Sequence, residues 1–390
     1  MSIEVVSLGC RMNLAESEDL RRILTGASGM VVINSCAVTA EAVRQTRQAI
    51  RQARRRHPDA RLLVTGCAAE VERSALAAMP EVDGLIDNAS KLDPRRWNVP
   101  AAPAATPQAR TRAFVAVQNG CDHACTFCVI PQGRGVSRSM TVPQVLARIE
   151  PHLAGGVSEV VLTGVDLTSW GGDLPGQPRL GAMVLAILQE FPALRRLRLS
   201  SLDGVEIDPL LLELLGSEVR VMPHLHLSLQ SGADLILKRM KRRHSRAQAI
   251  ELVQRLREQR PEIAVGADLI AGFPTETETH HADSLEIVRE LGIVHGHIFP
   301  YSPRPGTPAA RMPQVPVTAV RQRAAELRTA AAAQHAAWQQ ALIGKPLEIL
   351  AERDGTGHAP NFARVRTPPG TVPGSLIVVT PTRIVEGLLA

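Results

Sequence analysis

Aromatic side chains are scarce in this chain: they make up 3% of its 390 residues, with a single tyrosine, Tyr301. That argues against recognition by extensive base stacking on aromatic platforms. No apolar run reaches the roughly 18 residues of a membrane span, so no membrane partner is expected. The opening Met1-Ser-Ile-Glu-Val-Val has neither the basic start nor the apolar core of a secretory signal. Both absences point to a cytoplasmic protein, where disulfides are rare. What is present is ordinary for a globular chain, with 45% hydrophobic and 21% charged residues. The length suits two or three domains. The formal charge of +6 makes an anionic partner such as nucleic acid plausible.

Six cysteines in such a chain suggest metal or redox chemistry. Three are clustered as Cys121-Asp-His-Ala-Cys125-Thr-Phe127-Cys128. A closed structural zinc site wants four ligands, so this spacing suits it poorly. It suits an iron–sulfur cluster held by three thiolates, with one iron left open. Cys10, Cys36 and Cys67 are spread out, but each follows a short apolar segment that reads as a strand: 3–8, 30–34 and 61–66. Helices are expected at 13–25, 40–56 and 70–79. Strand–helix alternation predicts a parallel sheet, and its strand ends share one edge where ligands bind. Strands there lie about 4.8 Å apart, so three thiols can meet. Two sets of three cysteines read as two clusters.

The fold class expected is α/β: an N-terminal open parallel α/β domain over 1–98, a linker over 99–112, a central partial (β/α)6 barrel over 113–343, and a small C-terminal β domain over 344–390. Barrel strands are expected at 113–118, 158–163, 195–200, 224–229, 263–270 and 294–299, with helices between them and a last helix over 317–342. The tail strands are expected at 347–352, 362–366 and 375–383. Active sites of such barrels sit at the C-terminal mouth, where the three-cysteine loop would lie. Gly164, Asp166, Ser201, Gln230 and Asp268 stand at or near strand ends and suit hydrogen bonding to a ribose, an amino group and a carboxylate. Turn chemistry accounts for the same residue types.

Arg44, Arg47, Arg51 and Arg54 fall on one helix face, and Lys238–Arg246 forms a second basic run. Either could meet a phosphate backbone, or be a solvated face. His224 and His226 share a strand face and read as structural, hydrogen-bonded side chains rather than a metal pair.

The Cys-x3-Cys-x2-Cys loop with Phe127 resembles the signature of the radical S-adenosylmethionine (SAM) enzymes. Ser7-Leu-Gly-Cys10-Arg-Met-Asn13, Ile33-Asn-Ser-Cys36, Thr65-Gly-Cys67, Pro223–Gly232 and Ile270–Glu276 extend the resemblance nearly end to end, to the radical SAM methylthiotransferases. The tail resembles a shortened, degenerate TRAM domain. The resemblance implies two 4Fe-4S clusters and SAM as cofactors. Cys121, Cys125 and Cys128 would hold the cluster whose open iron binds SAM and generates a 5′-deoxyadenosyl radical, with Phe127 beside it. Cys10, Cys36 and Cys67 would hold the sulfur-inserting cluster. The implied partners are a tRNA anticodon loop, a reducing electron donor and a sulfur source. Phe299–Pro308 and Gly357–Phe362 are most similar to the branch acting on carbon-2 of threonylcarbamoyladenosine. The alternatives are the isopentenyladenosine branch, the branch modifying an aspartate of a ribosomal protein, and, outside the enzymes, a zinc-bound RNA-binding module.

Overall fold

Four short apolar segments build the first sheet of the computed structural model, which describes residues 3–99 and 111–390. Strands β1 (Glu4–Ser7), β2 (Met30–Ser35), β3 (Arg61–Gly66) and β4 (Gly84–Leu85) lie in that order, all parallel. β2 is buried throughout because helices cover both faces. Val31 and Ile33 pack with Val43, Ile50 and Ala53 of α2 (Ala40–Arg56), while Val32 packs with Leu20 of α1 (Arg11–Ile23). The single helix expected at 70–79 is instead two, α3 (Cys67–Val71) and α4 (Arg73–Ala77). The break is at Glu72, whose carboxylate bridges Arg47 at 3.3 Å and Arg304 at 3.0 Å. Most of the expected linker, residues 100–110, lies outside the described residues.

Six parallel strands then curl into a half-barrel. β5 (Arg112–Asn119), β7 (Glu159–Gly164) and β8 (Arg196–Leu199) form one sheet, with the short β6 (Arg138–Ser139) antiparallel at its edge. β9 (His224–Gln230), β10 (Ala264–Ala271) and β11 (Ile293–Pro300) form the other. Bridges Leu197–Val221 and Leu202–Leu227 join the two. The helices are α5 (Ile130–Arg134), α6 (Val142–Ala154), α7 (Leu180–Glu190), α8 (Pro209–Ser217), α9 (Asp234–Arg239), α10 (Arg246–Gln259), α11 (Glu278–Glu290) and α12 (Val317–Gln340). α5 and α9 were not expected, being only five and six residues long. Capping boxes at Ser245 and Thr277 fix the starts of α10 and α11. Period-two alternation sends Leu225, Leu227 and Leu229 into the core beneath the helices and leaves His224 and His226 facing the inside of the curl.

The C-terminal sheet has the order β15-β12-β13-β14-β17-β16: β12 (Leu347–Ala351), β13 (Thr356–His358), β14 (Arg364–Arg366), β15 (Leu376–Val379), β16 (Ile384–Val385) and β17 (Leu388–Leu389). It docks on the barrel through two buried arginines of β8. Arg196 donates to the carbonyls of Glu348 at 2.7 Å and His358 at 3.0 Å, and Arg198 to that of Pro360 at 3.0 Å. Among the described residues, no helix is long and apolar enough to cross a membrane.

Candidate active site

The register of the first sheet brings its three cysteines to one edge. Ser7 pairs with Asn34, and Ser35 pairs with Gly66. Cys36 and Cys67 follow Ser35 and Gly66 directly, and Cys10 caps the N-terminus of α1. Gly9, at φ +92°, lets the backbone pass over Cys36: a Cβ there would lie 2.6 Å from the Cys36 Cβ and 2.8 Å from its Sγ. Burial, reinforced by the neighbouring thiols, pushes Cys36 up to about 11 and also raises Cys67.

The second set sits in the loop after β5. Thr126 ties this loop to the 239–240 turn, through Oγ1 to the Arg239 carbonyl at 2.8 Å and N–H to that of Met240 at 3.1 Å. Its own carbonyl accepts from Ala309 N–H at 2.9 Å. Burial pushes Cys121 up to about 12 and Cys128 to about 11. Positive and N–H groups are aimed at these sulfurs: Arg242 Nη1 lies 3.6 Å from Cys125 Sγ, and Ile130 N–H lies 3.4 Å from Cys128 Sγ. Three sulfurs with a guanidinium and a backbone donor at hand fit an anionic thiolate-held cluster better than a four-ligand zinc site. The two sets approach each other through α5, where a Cβ on Gly133 would lie 3.2 Å from that of Cys67.

The strand-end residues divide. Asp166 is at the mouth: its Oδ2 is 3.8 Å from Cys121 Sγ, 2.7 Å from Ser169 Oγ and 2.7 Å from His123 Nε2. Gly164 ends β7 against Gln118, whose Oε1 accepts from the Asp166 N–H at 2.9 Å. Ser201 lies just beyond β8, and Gln230 closes β9 at φ +74°. Phe127 packs edge-on against Phe273 at 6.2 Å, inside the cluster that holds the loop. Asp268 lies deeper, between His226 Nε2 at 3.0 Å and His297 Nδ1 at 3.1 Å. Burial opposes its charge, but the two imidazoles outweigh it and hold the carboxyl well below the usual range. The hydrogen bond expected at His226 is present, whereas buried His224 has Nδ1 unpartnered.

At the mouth, His123 and Glu206 were not singled out by sequence. His123 lies between Asp166 and Glu206, and these partners raise it to about 10 against the opposing effect of burial. Arg242 bonds Asp203 at 2.8 Å, and Arg243 bonds Glu206 at 2.6 Å. Those two arginines of the second basic run are therefore engaged with the loop and its acids. The basic face of α2 is likewise answered from within. Arg44 pairs with Glu41 at 2.6 Å, Arg47 with Glu72 at 3.3 Å, Arg51 with Glu81 at 3.9 Å and Arg54 with Asp83 at 2.5 Å. Most of those acids lie on other segments, so the helix sequence alone overstated its need for phosphate. A position beside Cys121 within the loop was the one available hint for His123.

Residues 115–288 match the radical SAM superfamily, and residues 2–87 match an uncharacterized protein family, UPF0004. A threonylcarbamoyladenosine tRNA methylthiotransferase, MtaB, of Rickettsia prowazekii is 43% identical, covering 93% of this chain and 90% of its own. One of Aquifex aeolicus is 36% identical, covering 81% and 84%. A tRNA-2-methylthio-N(6)-dimethylallyladenosine synthase of Paracoccus denitrificans is 32% identical, covering 90% and 86%. Among solved structures, the radical SAM methyltransferase TsrM of Kitasatospora setae shares the fold, with a TM-score of 0.54 at 16% identity, over 75% of this chain and 66% of that one.

Proposed function

The chain belongs to the radical SAM methylthiotransferase family, and on that footing we propose that it adds a methylthio group to carbon-2 of threonylcarbamoyladenosine beside the anticodon of tRNA. The observation that carries this reading is the meeting of two cysteine sets at facing edges, with Cys67 against the helix that follows the Cys121–Cys128 loop.

Cys121, Cys125 and Cys128 hold the 4Fe-4S cluster that binds SAM, and Cys10, Cys36 and Cys67 hold a second. When bound, these groups supply the electron, the radical that removes hydrogen from an unactivated carbon, and the sulfur; ordinary acid–base groups could not activate that carbon. The protein's part is placement and charge. Arg242 offsets the negative charge of the thiolates, and Asp203 holds Arg242 in place. Asp166, fixed by Gln118 and Ser169, presents a carboxylate at the mouth for a polar cofactor. Phe127 and Phe273 anchor the loop, while Gly164, Ser201 and Gln230 stand at or near strand ends where they would hydrogen-bond the cofactor. A splayed-out base enters between the two cysteine sets. The reaction calls for a reducing electron donor and a sulfur source.

The readings as an isopentenyladenosine enzyme, a ribosomal-protein enzyme and a zinc module have less support, since two methylthiotransferases named for threonylcarbamoyladenosine are the more similar relatives. The deciding experiment is nucleoside mass spectrometry of tRNA from cells with and without the gene. Loss of the methylthio derivative of threonylcarbamoyladenosine is expected. Unchanged methylthio nucleosides beside an altered ribosomal protein would overturn the reading.

A further inference from the structure

The inside of the half-barrel gathers three guanidinium groups and three carboxylates, unevenly paired. Three guanidinium groups surround the ring of Phe362, with their carbons at 4.8 Å (Arg198), 5.4 Å (Arg11) and 5.8 Å (Arg112) from its centre. Two are neutralised: Arg198 by Glu159 at 2.8 Å and Arg112 by Glu352 at 2.8 Å. Asp268, a further carboxylate facing this space, is taken up by His226 and His297. Arg11 ion-pairs with no carboxylate among the described residues. Burial and the two neighbouring arginines act against its charge, while Glu159 and Asp268 act on it only from beyond contact, so an anion in direct contact would be favoured.

We propose that Arg11 receives the carboxylate of the threonylcarbamoyl group, and so is the residue by which this chain tells threonylcarbamoyladenosine from isopentenyladenosine. The inference rests on the function proposed above. Arg11 directly follows Cys10, so its side chain leaves the backbone beside the cysteine set assigned to sulfur insertion and carries its charge to Phe362. The two nucleosides differ in the group on N6: one ends in a threonine carboxylate, the other in a hydrocarbon. A guanidinium matches a carboxylate with two parallel hydrogen bonds. Opposite a hydrocarbon it would be buried without a partner, so one side chain both attracts the first substrate and rejects the second. Phe362 supports the arrangement from the C-terminal sheet. It holds φ +70°, rare for a bulky residue, with His358 stacked on it at 4.7 Å. The tail then serves as a wall of the substrate site.

The test uses full-length protein, reconstituted anaerobically, and three anticodon stem–loops: one with threonylcarbamoyladenosine, one with its methyl ester and one with plain adenosine. The wild type should bind the acid roughly ten- to hundredfold more tightly than the ester. Arg11→Gln should bring that ratio near one, and Arg11→Lys should restore part of it. The acid–ester comparison on the wild type needs no variant to fold, and iron content checks the variants. An unchanged ratio in Arg11→Gln, an ester bound as tightly as the acid, or a variant that loses affinity for SAM alone overturns the inference. Product formation by the wild type on threonylcarbamoyladenosine tRNA is scored separately. If product forms but the ratio is insensitive to Arg11, only this inference fails; if none forms, the proposed function fails with it.

Discussion

Arg134 Nη1 of α5 lies 2.8 Å from Glu16 Oε1 of α1, with both side chains out of water. Lys91 Nζ closes on the other carboxylate oxygen at 2.6 Å. Burial works against the charge on Glu16, but Lys91 and Arg134 outweigh it and keep the group ionised. The pair joins the first sheet's helix to the segment following the cysteine loop. Glu16→Gln leaves two cations buried without an anion, and should lower stability by about 3–5 kcal/mol. Urea denaturation reads this directly; a midpoint unchanged from the wild type would contradict it.

Iron and sulfide analysis of anaerobically prepared protein should give two clusters. Cys10→Ala/Cys36→Ala/Cys67→Ala should halve the iron while circular dichroism stays native. Full iron in a folded triple variant sinks the assignment of a second cluster to the sheet edge.

Arg242 places positive charge 3.6 Å from Cys125 Sγ. Positive charge favours the reduced, more negative cluster, so Arg242→Gln should make its reduction potential more negative. SAM cleavage should slow by on the order of tenfold. A potentiometric titration followed by electron paramagnetic resonance checks the direction, and a rise in potential refutes it.

Burial works against the charge on Glu352, but hydrogen bonds from His358 and Thr111 and the charge of Arg112 hold it down at about 2. A carboxylate with a lowered folded pKa contributes stability above its unfolded value, about 4.3, and loses it as pH falls through the folded value. The link between β5 and the C-terminal sheet should therefore weaken from about pH 4.3 down to about 2. The stability gap between wild type and Glu352→Gln should shrink over that window. A gap that widens as pH falls would show the wrong sign.

Cys10, Cys36 and Cys67 were legible because strand ends can be read from local apolar runs, and a parallel sheet places all such ends on one edge. The order of the barrel strands was legible for the same reason. The partnerships were not. Glu16 meets Lys91 and Arg134, and the arginines of α2 meet Glu72, Glu81 and Asp83, across separations that no local pattern spans. α5 escaped notice because five residues are too few to show a helical period. Arg11 stood in the sequence only as a member of the Cys10 motif, and its place beside Phe362, Arg112 and Arg198 comes from the fold.

The tether at Thr126 also bears on how the protein comes off the ribosome. The first sheet is complete once residues through Leu85 have emerged, so its three cysteines can adopt their places early. The Cys121–Cys128 loop is held by Arg239, Met240 and Ala309, and cannot settle until translation has passed all three. The nascent chain thus carries the second trio of thiols without its tethers through much of its synthesis, and the two cysteine sets take shape in the order of their sequence.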